Sequence, residues 1–136
     1  MIQDIKITPL KILSDNRGSV MHMLRADSKV FKRFGEIYFS TISKNAIKAW
    51  HLHKEATLNY VCVRGSVKLV LYDDRASSST KGKYQEFVLS PKEYFLITIP
   101  PNIIEKIQKF GKSYKQLTTD TVKAFLDDSK KSKFRI

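Results

Sequence analysis

Cysteine is almost absent from this chain: Cys62 is the one example among 136 residues. That excludes an internal disulfide, and with it the stapled frameworks of small secreted domains. Its setting, Tyr60-Val61-Cys62-Val63, marks it as a buried strand residue rather than a nucleophile. Five glycines and four prolines are too few for a collagen-like or disordered chain. No apolar run approaches the roughly 20 residues that a membrane helix needs. The segment Met1-Ile2-Gln3-Asp4-Ile5-Lys6 lacks the basic-then-apolar order of a signal peptide, so a cytoplasmic protein without membrane association is expected. Acidic residues are also scarce, 13 against 25 basic ones, and the formal net charge is +12. Such a surface suits an anionic partner. The lysines are spread along the chain, however, and the one dense cluster, Lys130-Lys131-Ser132-Lys133-Phe134-Arg135, reads as a solvated tail. With no recognition-helix, zinc-finger or aromatic ribonucleoprotein pattern beside the charge, nucleic acid is not the expected partner.

What the chain does have is enough apolar residues, 42% with 11% aromatic, for one buried core. They fall in short β-branched or apolar runs bounded by turn residues. Runs of this kind cover residues 2–7, 19–24, 36–42, 46–53, 58–63, 67–71, 84–89, 94–99, 103–108 and 114–118, which predicts about ten strands. Two turns stand out: Val63-Arg64-Gly65-Ser66-Val67, read as a hairpin, and Asp15-Asn16-Arg17-Gly18. Residues 120–128 alone suit a short helix, with Val122, Phe125 and Leu126 on one face. The expectation is an all-β domain over residues 1–120, a jelly-roll barrel of two antiparallel sheets, followed by a short helix and basic tail over residues 121–136. Leu69, Leu71 and Val61 are expected to face inward.

The stretch Asp73-Asp74-Arg75-Ala76-Ser77-Ser78-Ser79-Thr80-Lys81-Gly82 resembles a loop of the dTDP-4-dehydrorhamnose 3,5-epimerases, with Ser79 where that family usually has proline. Asp15-Asn16-Arg17-Gly18 is similar to its Asp-x-Arg-Gly turn, and Lys48-Ala49-Trp50-His51 to the Arg-Gly-x-His that carries its catalytic base. Tyr38-Phe39 and His51-Leu52-His53-Lys54 resemble a second group, the dTDP-4-keto-6-deoxyglucose ketoisomerases. The resemblance implies a cupin fold, a nucleotide-linked 4-keto-6-deoxyhexose as substrate, no cofactor, and a homodimer that exchanges its N-terminal strands, here residues 2–7. It also implies roles: His51 as base, Tyr38 and His53 as relay residues, and Arg17 and Lys48 as ligands of the diphosphate. Leu58 stands where the epimerases have a lysine, and Glu105 where they have a histidine.

Elementary chemistry explains why these residue types are wanted. A ketone acidifies the hydrogens on its neighbouring carbons, and an imidazole that is neutral near pH 7 can remove one. Fixed positive charge, best from a guanidinium fork, holds a diphosphate. Plainer readings stand beside these. Arg17 two residues after Asp15 can pair with it locally. Strand alternation puts His51 and His53 on one face and Lys48 and Trp50 on the other, unless a bulge intervenes. Asp73 and Asp74 read as solvated loop carboxylates, and His51, His53 and Glu105 as a possible metal-binding triad, although no metal site is expected.

Overall fold

The computed structural model describes residues 1–109. Nine strands are present among them: β1 (Lys6–Pro9), β2 (Ile12–Asp15), β3 (Gly18–Met21), β4 (Ile47–Leu52), β5 (Leu58–Tyr60), β6 (Val67–Asp73), β7 (Tyr84–Leu89), β8 (Phe95–Ile99) and β9 (Ile103–Lys109). All pairings are antiparallel, in a four-stranded sheet β4-β9-β6-β7, a three-stranded sheet β1-β8-β5 and the separate hairpin β2-β3. The expected strand at 114–118, the helix at 120–128 and the tail at 121–136 lie outside the described residues.

The core forms where the two larger sheets face each other. Leu69, Leu71, Phe87, Leu89 and Ile103 come from the four-stranded sheet and Ile97 and Ile99 from the three-stranded one, joined by Ile2, Ile5 and Cys62. Period-two alternation explains the choice: Leu69 and Leu71 point in, and their cross-strand partners Ile107, Phe87, Glu105 and Gln85 share that face. The same alternation corrects the inward assignment of Val61. Leu58 and Tyr60 pair with the core residues Ile99 and Ile97, and Cys62 continues their phase, so Val61 has the opposite one. Cys62 is buried as expected, though β5 ends two residues before it.

Other expectations change for physical reasons. Residues 36–42 carry a strand-like composition but form no strand, because no neighbouring strand supplies a hydrogen-bonded partner. Ile37, Tyr38 and Phe39 stay exposed, Phe39 at 90%. The turn at Gly65, with φ of 77°, closes no hairpin: β5 belongs to one sheet and β6 to the other, so it carries the chain across the core. Asn16 and Arg17 form a two-residue loop whose upstream strand, β2, was not anticipated. Within this chain Ile2 and Ile5 lie in the core and β1 pairs with β8.

What holds that N-terminal segment is the loop between β6 and β7. Asp73, with no exposed surface, accepts hydrogen bonds from the Arg75 guanidinium, the Arg75 backbone and the hydroxyls of Ser78 and Thr80. Arg75 reaches on to the Gln3 carbonyl at 2.8 Å and the Asp4 carboxylate at 3.0 Å, and the Gln3 amide N–H donates to Thr80 Oγ1. The expectation of two solvated carboxylates is therefore wrong for Asp73, because its charge is met by five N–H and O–H donors rather than by water; Asp74 is exposed. Burial would raise the Asp73 pKa, but the Arg75, Ser78 and Thr80 hydrogen bonds outweigh it and hold the carboxyl well below the usual carboxylate range.

Replacing one partner of such a buried pair strands the other. Asp73→Asn is expected to lower stability by about 3 kcal/mol or more at pH 7, read from urea midpoints. Because the folded pKa lies below the unfolded value of about 3.9, the contribution is complete above that pH and fades as pH falls further. The gap between the native protein and Asp73→Asn should therefore narrow on acidification below about pH 4; a gap that stayed constant would mean that ionised Asp73 is not what closes the loop.

Candidate active site

A regular β4 would leave Lys48 on the wrong side of its sheet from His51. The strand is not regular: Lys48 pairs with Ile107 and Ala49 with Lys106, but His51, not Trp50, pairs with the next residue, Glu105. The extra residue is a β-bulge, and it resets the phase. Paired residues share a face, so Lys48 and His51 both stand on the inner face with Ile107 and Glu105. Trp50 is turned outward, where it packs against Tyr72 and Ile104, with Lys106 Nζ 5.9 Å from its ring centroid.

His53 follows the end of β4. Its backbone carbonyl accepts a 2.8 Å hydrogen bond from the Asn102 amide, in the turn between β8 and β9, which fixes the strand end against that turn. The His53 side chain is 29% exposed, and its Nε2 lies 3.8 Å from Oε1 of Glu105, which is 2% exposed. The Tyr60 hydroxyl, from β5 in the opposite sheet, donates to the same Glu105 oxygen at 2.8 Å. Glu105 Oε2 is buried and has no hydrogen-bond partner among the described residues. The two sheets thus meet over one carboxyl group, with the histidines in front of it toward solvent.

The electrostatics follow from this layering. Burial, together with the neighbouring charges of His53 and Lys48, lowers the His51 pKa, so its imidazole is neutral at pH 7 and free to accept a proton. Burial pushes Glu105 up to about 7, against the smaller opposing effect of the Tyr60 hydrogen bond. Burial and the adjacent Glu105 raise the Tyr60 pKa, so the phenol keeps its proton and serves as a donor.

The remaining candidates divide. Lys48 is exposed, and its ammonium donates to Ser40 Oγ at 2.7 Å. Tyr38 is exposed on the irregular segment, near enough to act electrostatically on Tyr60. Arg17 is not brought to the histidines. It lies at the tip of the separate β2-β3 hairpin with its side chain 86% exposed, and binds Asp15 through its backbone N–H and its guanidinium, NH2 at 2.6 Å. That is the local pairing its spacing allowed. Among the described residues no group of three or more His, Cys, Asp or Glu side chains is arranged to hold a metal ion. Tyr60 was missed. It sits two residues after Leu58 on the same face, and a tyrosine in a half-buried strand requires a partner for its hydroxyl, which was the available signal.

Comparison with known proteins agrees with this architecture. The family profile of dTDP-4-dehydrorhamnose 3,5-epimerase matches residues 1–128. A probable low-salt glycan biosynthesis epimerase, Agl13 of Haloferax volcanii, is 31% identical over 101 residues, spanning 73% of this chain and 65% of the relative, so this chain covers a little under two thirds of that protein. The crystal structure of a dTDP sugar isomerase from Desulfovibrio desulfuricans G20 superposes with a TM-score of 0.78 at 34% identity, covering 82% of this chain and 72% of the other. The TDP-quinovose 3,4-ketoisomerase WlaRB of Campylobacter jejuni shares the fold, with a TM-score of 0.63 at 21% identity over 82% of this chain and 80% of its own. The family match over nearly the whole sequence, on an all-β fold of facing antiparallel sheets, identifies this chain as a member of the dTDP-4-dehydrorhamnose 3,5-epimerase family.

Proposed function

We propose that this chain is an isomerase or epimerase of a nucleotide-linked 4-keto-6-deoxyhexose, moving a proton on a carbon next to the ketone with His51 as the base. The observation that carries the reading is the β4 bulge, since it aligns the cation of Lys48 with a neutral His51 on the inner face of the barrel. A neutral imidazole beside a fixed ammonium suits this chemistry: the base removes the proton while the cation favours negative charge, either on the forming enolate or on the diphosphate. His53 stands next in line to relay a proton between oxygens, with Tyr38 at the rim. The names of the relatives point to the same class of substrate, as sugar epimerases and a dTDP sugar isomerase.

Homodimer formation belongs to this reading. Leu13 and Val20 are cross-strand partners on the β2-β3 hairpin and are both exposed, as are Phe34, Ile37 and Phe39. These apolar residues, together with residues 2–7, offer surface for a second copy. A dimer of that kind would let Arg17 serve the diphosphate from the partner subunit. A second reading, a module that binds sugar nucleotides without turning them over, draws on Leu58, an apolar side chain packed against the core where a cation would assist an enolate.

Deuterium uptake from solvent into a 4-keto sugar nucleotide separates the two readings. The native protein should catalyse exchange, and His51→Asn should reduce it about 10²–10⁴-fold while leaving nucleotide binding intact. Exchange should persist below about pH 6.5, the ordinary imidazole value, because the His51 pKa is lowered, and fall on further acidification as the base is protonated. Undiminished exchange in His51→Asn would refute the assignment, and no exchange by the native protein on several such substrates would favour the binding module. For the phosphate role, Arg17→Ala should weaken thymidine diphosphate binding in calorimetry, and the binding should itself weaken with added salt. An affinity unchanged by Arg17→Ala would remove Arg17 from the site.

A further inference from the structure

Glu105 is an ionisable group of the inner face that the proposed chemistry leaves without a task. It is 2% exposed, in register with His51, bonded to Tyr60 and 3.8 Å from His53, and one of its carboxyl oxygens is buried without a partner. An isolated buried carboxylate is expensive, so a carboxyl in this position is retained either as the neutral acid or by sharing a proton with a neighbour. Besides Tyr60, the titratable neighbour is the imidazole of His53, with Nε2 3.8 Å from Oε1. We infer that Glu105 is a positioning residue that shares one exchangeable proton with His53, with Tyr60 holding the carboxyl in place, and so sets the protonation state in which His53 meets the substrate.

The surroundings fit this division of labour. Lys48 and His51 from β4 face the same side, and Tyr60 from β5 contributes a donor that stays protonated, with Tyr38 adding its own field. From β6 and β7 the row through Glu105 continues with Leu71 and Gln85, which carry no charge, and from β8 the partners of Leu58 and Tyr60 are the apolar Ile99 and Ile97. No cation among these groups is bonded to the carboxyl, so the proton itself neutralises it. Burial raises its affinity for that proton, so the carboxyl binds it at about pH 7. At 3.8 Å the two groups are close enough to act on each other's charge without a hydrogen bond, so the pair holds one proton between them and exchanges it through solvent; no bond to carbon changes in this step, and nothing else is consumed.

The inference rests on the proton-transfer reading for its use in turnover, but the shared proton can be observed without substrate. Nuclear magnetic resonance of labelled imidazoles in the full chain follows His22, His51 and His53 separately, assigned with single His→Asn variants. In the native protein His53 should titrate in two coupled steps. In Glu105→Gln, which still accepts the Tyr60 hydrogen bond and so keeps the local packing, it should titrate in one step, shifted down by about one pH unit or more, because a nearby carboxylate favours imidazolium. Tyr60→Phe removes a bond that favours the ionised carboxyl, so there the coupled step should move up. A His53 curve that is the same in native protein and Glu105→Gln would overturn the shared proton. In deuterium exchange, Glu105→Gln should lose the component of the pH profile near neutrality and slow exchange about tenfold or more, with nucleotide affinity unchanged. An unaltered profile would overturn the role in turnover. Coupled titration in a native protein that shows no exchange at all would support the shared proton and overturn the isomerase reading instead.

Discussion

Side chains on paired antiparallel strands stand on the same face, and they alternate strictly along each strand. In β4 that rule would separate Lys48 from the two histidines by the whole thickness of the sheet. One additional residue between Ala49 and His51 removes the conflict: Trp50 is sent outward to Tyr72 and Ile104, while Lys48 and His51 come to stand on the same, inner face. Everything inferred about the site depends on this change of phase, because the neutral His51, the cation beside it and the carboxyl behind it are otherwise on different surfaces. The pairing of β4 with β9 matters for the same reason, since it decides that Glu105 and not Lys106 lies opposite His51.

Two buried carboxyl groups in the same barrel show opposite solutions to one electrostatic problem. Asp73 keeps its charge, because Arg75, Ser78 and Thr80 converge on it and replace the water it lost. Glu105 has one hydroxyl donor and no bonded cation, so burial prevails and raises its pKa to about 7. The difference is one of donor supply rather than depth, for both are almost fully enclosed. The first arrangement locks a loop to the N-terminus; the second leaves a group whose state changes with small changes in its surroundings, which is what a site for proton transfer can use.

Much of this was legible before any coordinates. The short apolar runs foretold β6, β7, β8 and β9 closely, since each is long enough to alternate visibly and is bounded by a turn. The family blocks led to His51, Lys48 and the Asp73 to Gly82 loop. Other features were hidden because they depend on partners far away in the chain. Residues 36–42 look like a strand, but a strand exists only where another offers its backbone. The turn at Gly65 looks like a hairpin, and nothing local reveals that β5 and β6 enter different sheets. The bulge was foreseen only as a possibility, because phase within β4 is set by its contacts with β9. Tyr60 and Glu105 lie 45 residues apart in sequence and carry no motif, so their hydrogen bond could not be read from either segment alone.

The docking of the N-terminus bears on how the barrel comes into being. β1 has no partner until β8 exists, and Gln3 and Asp4 have no anchor until the loop carrying Arg75, Ser78 and Thr80 has formed. Residues 2–9 are therefore among the last to find their native neighbours. Their capture completes the core through Ile2 and Ile5 and requires closing a chain segment of more than seventy residues. Folding of this topology is governed by long-range pairing and should be slow for its size, with the unpaired edge of β8 exposed until the N-terminal strand arrives.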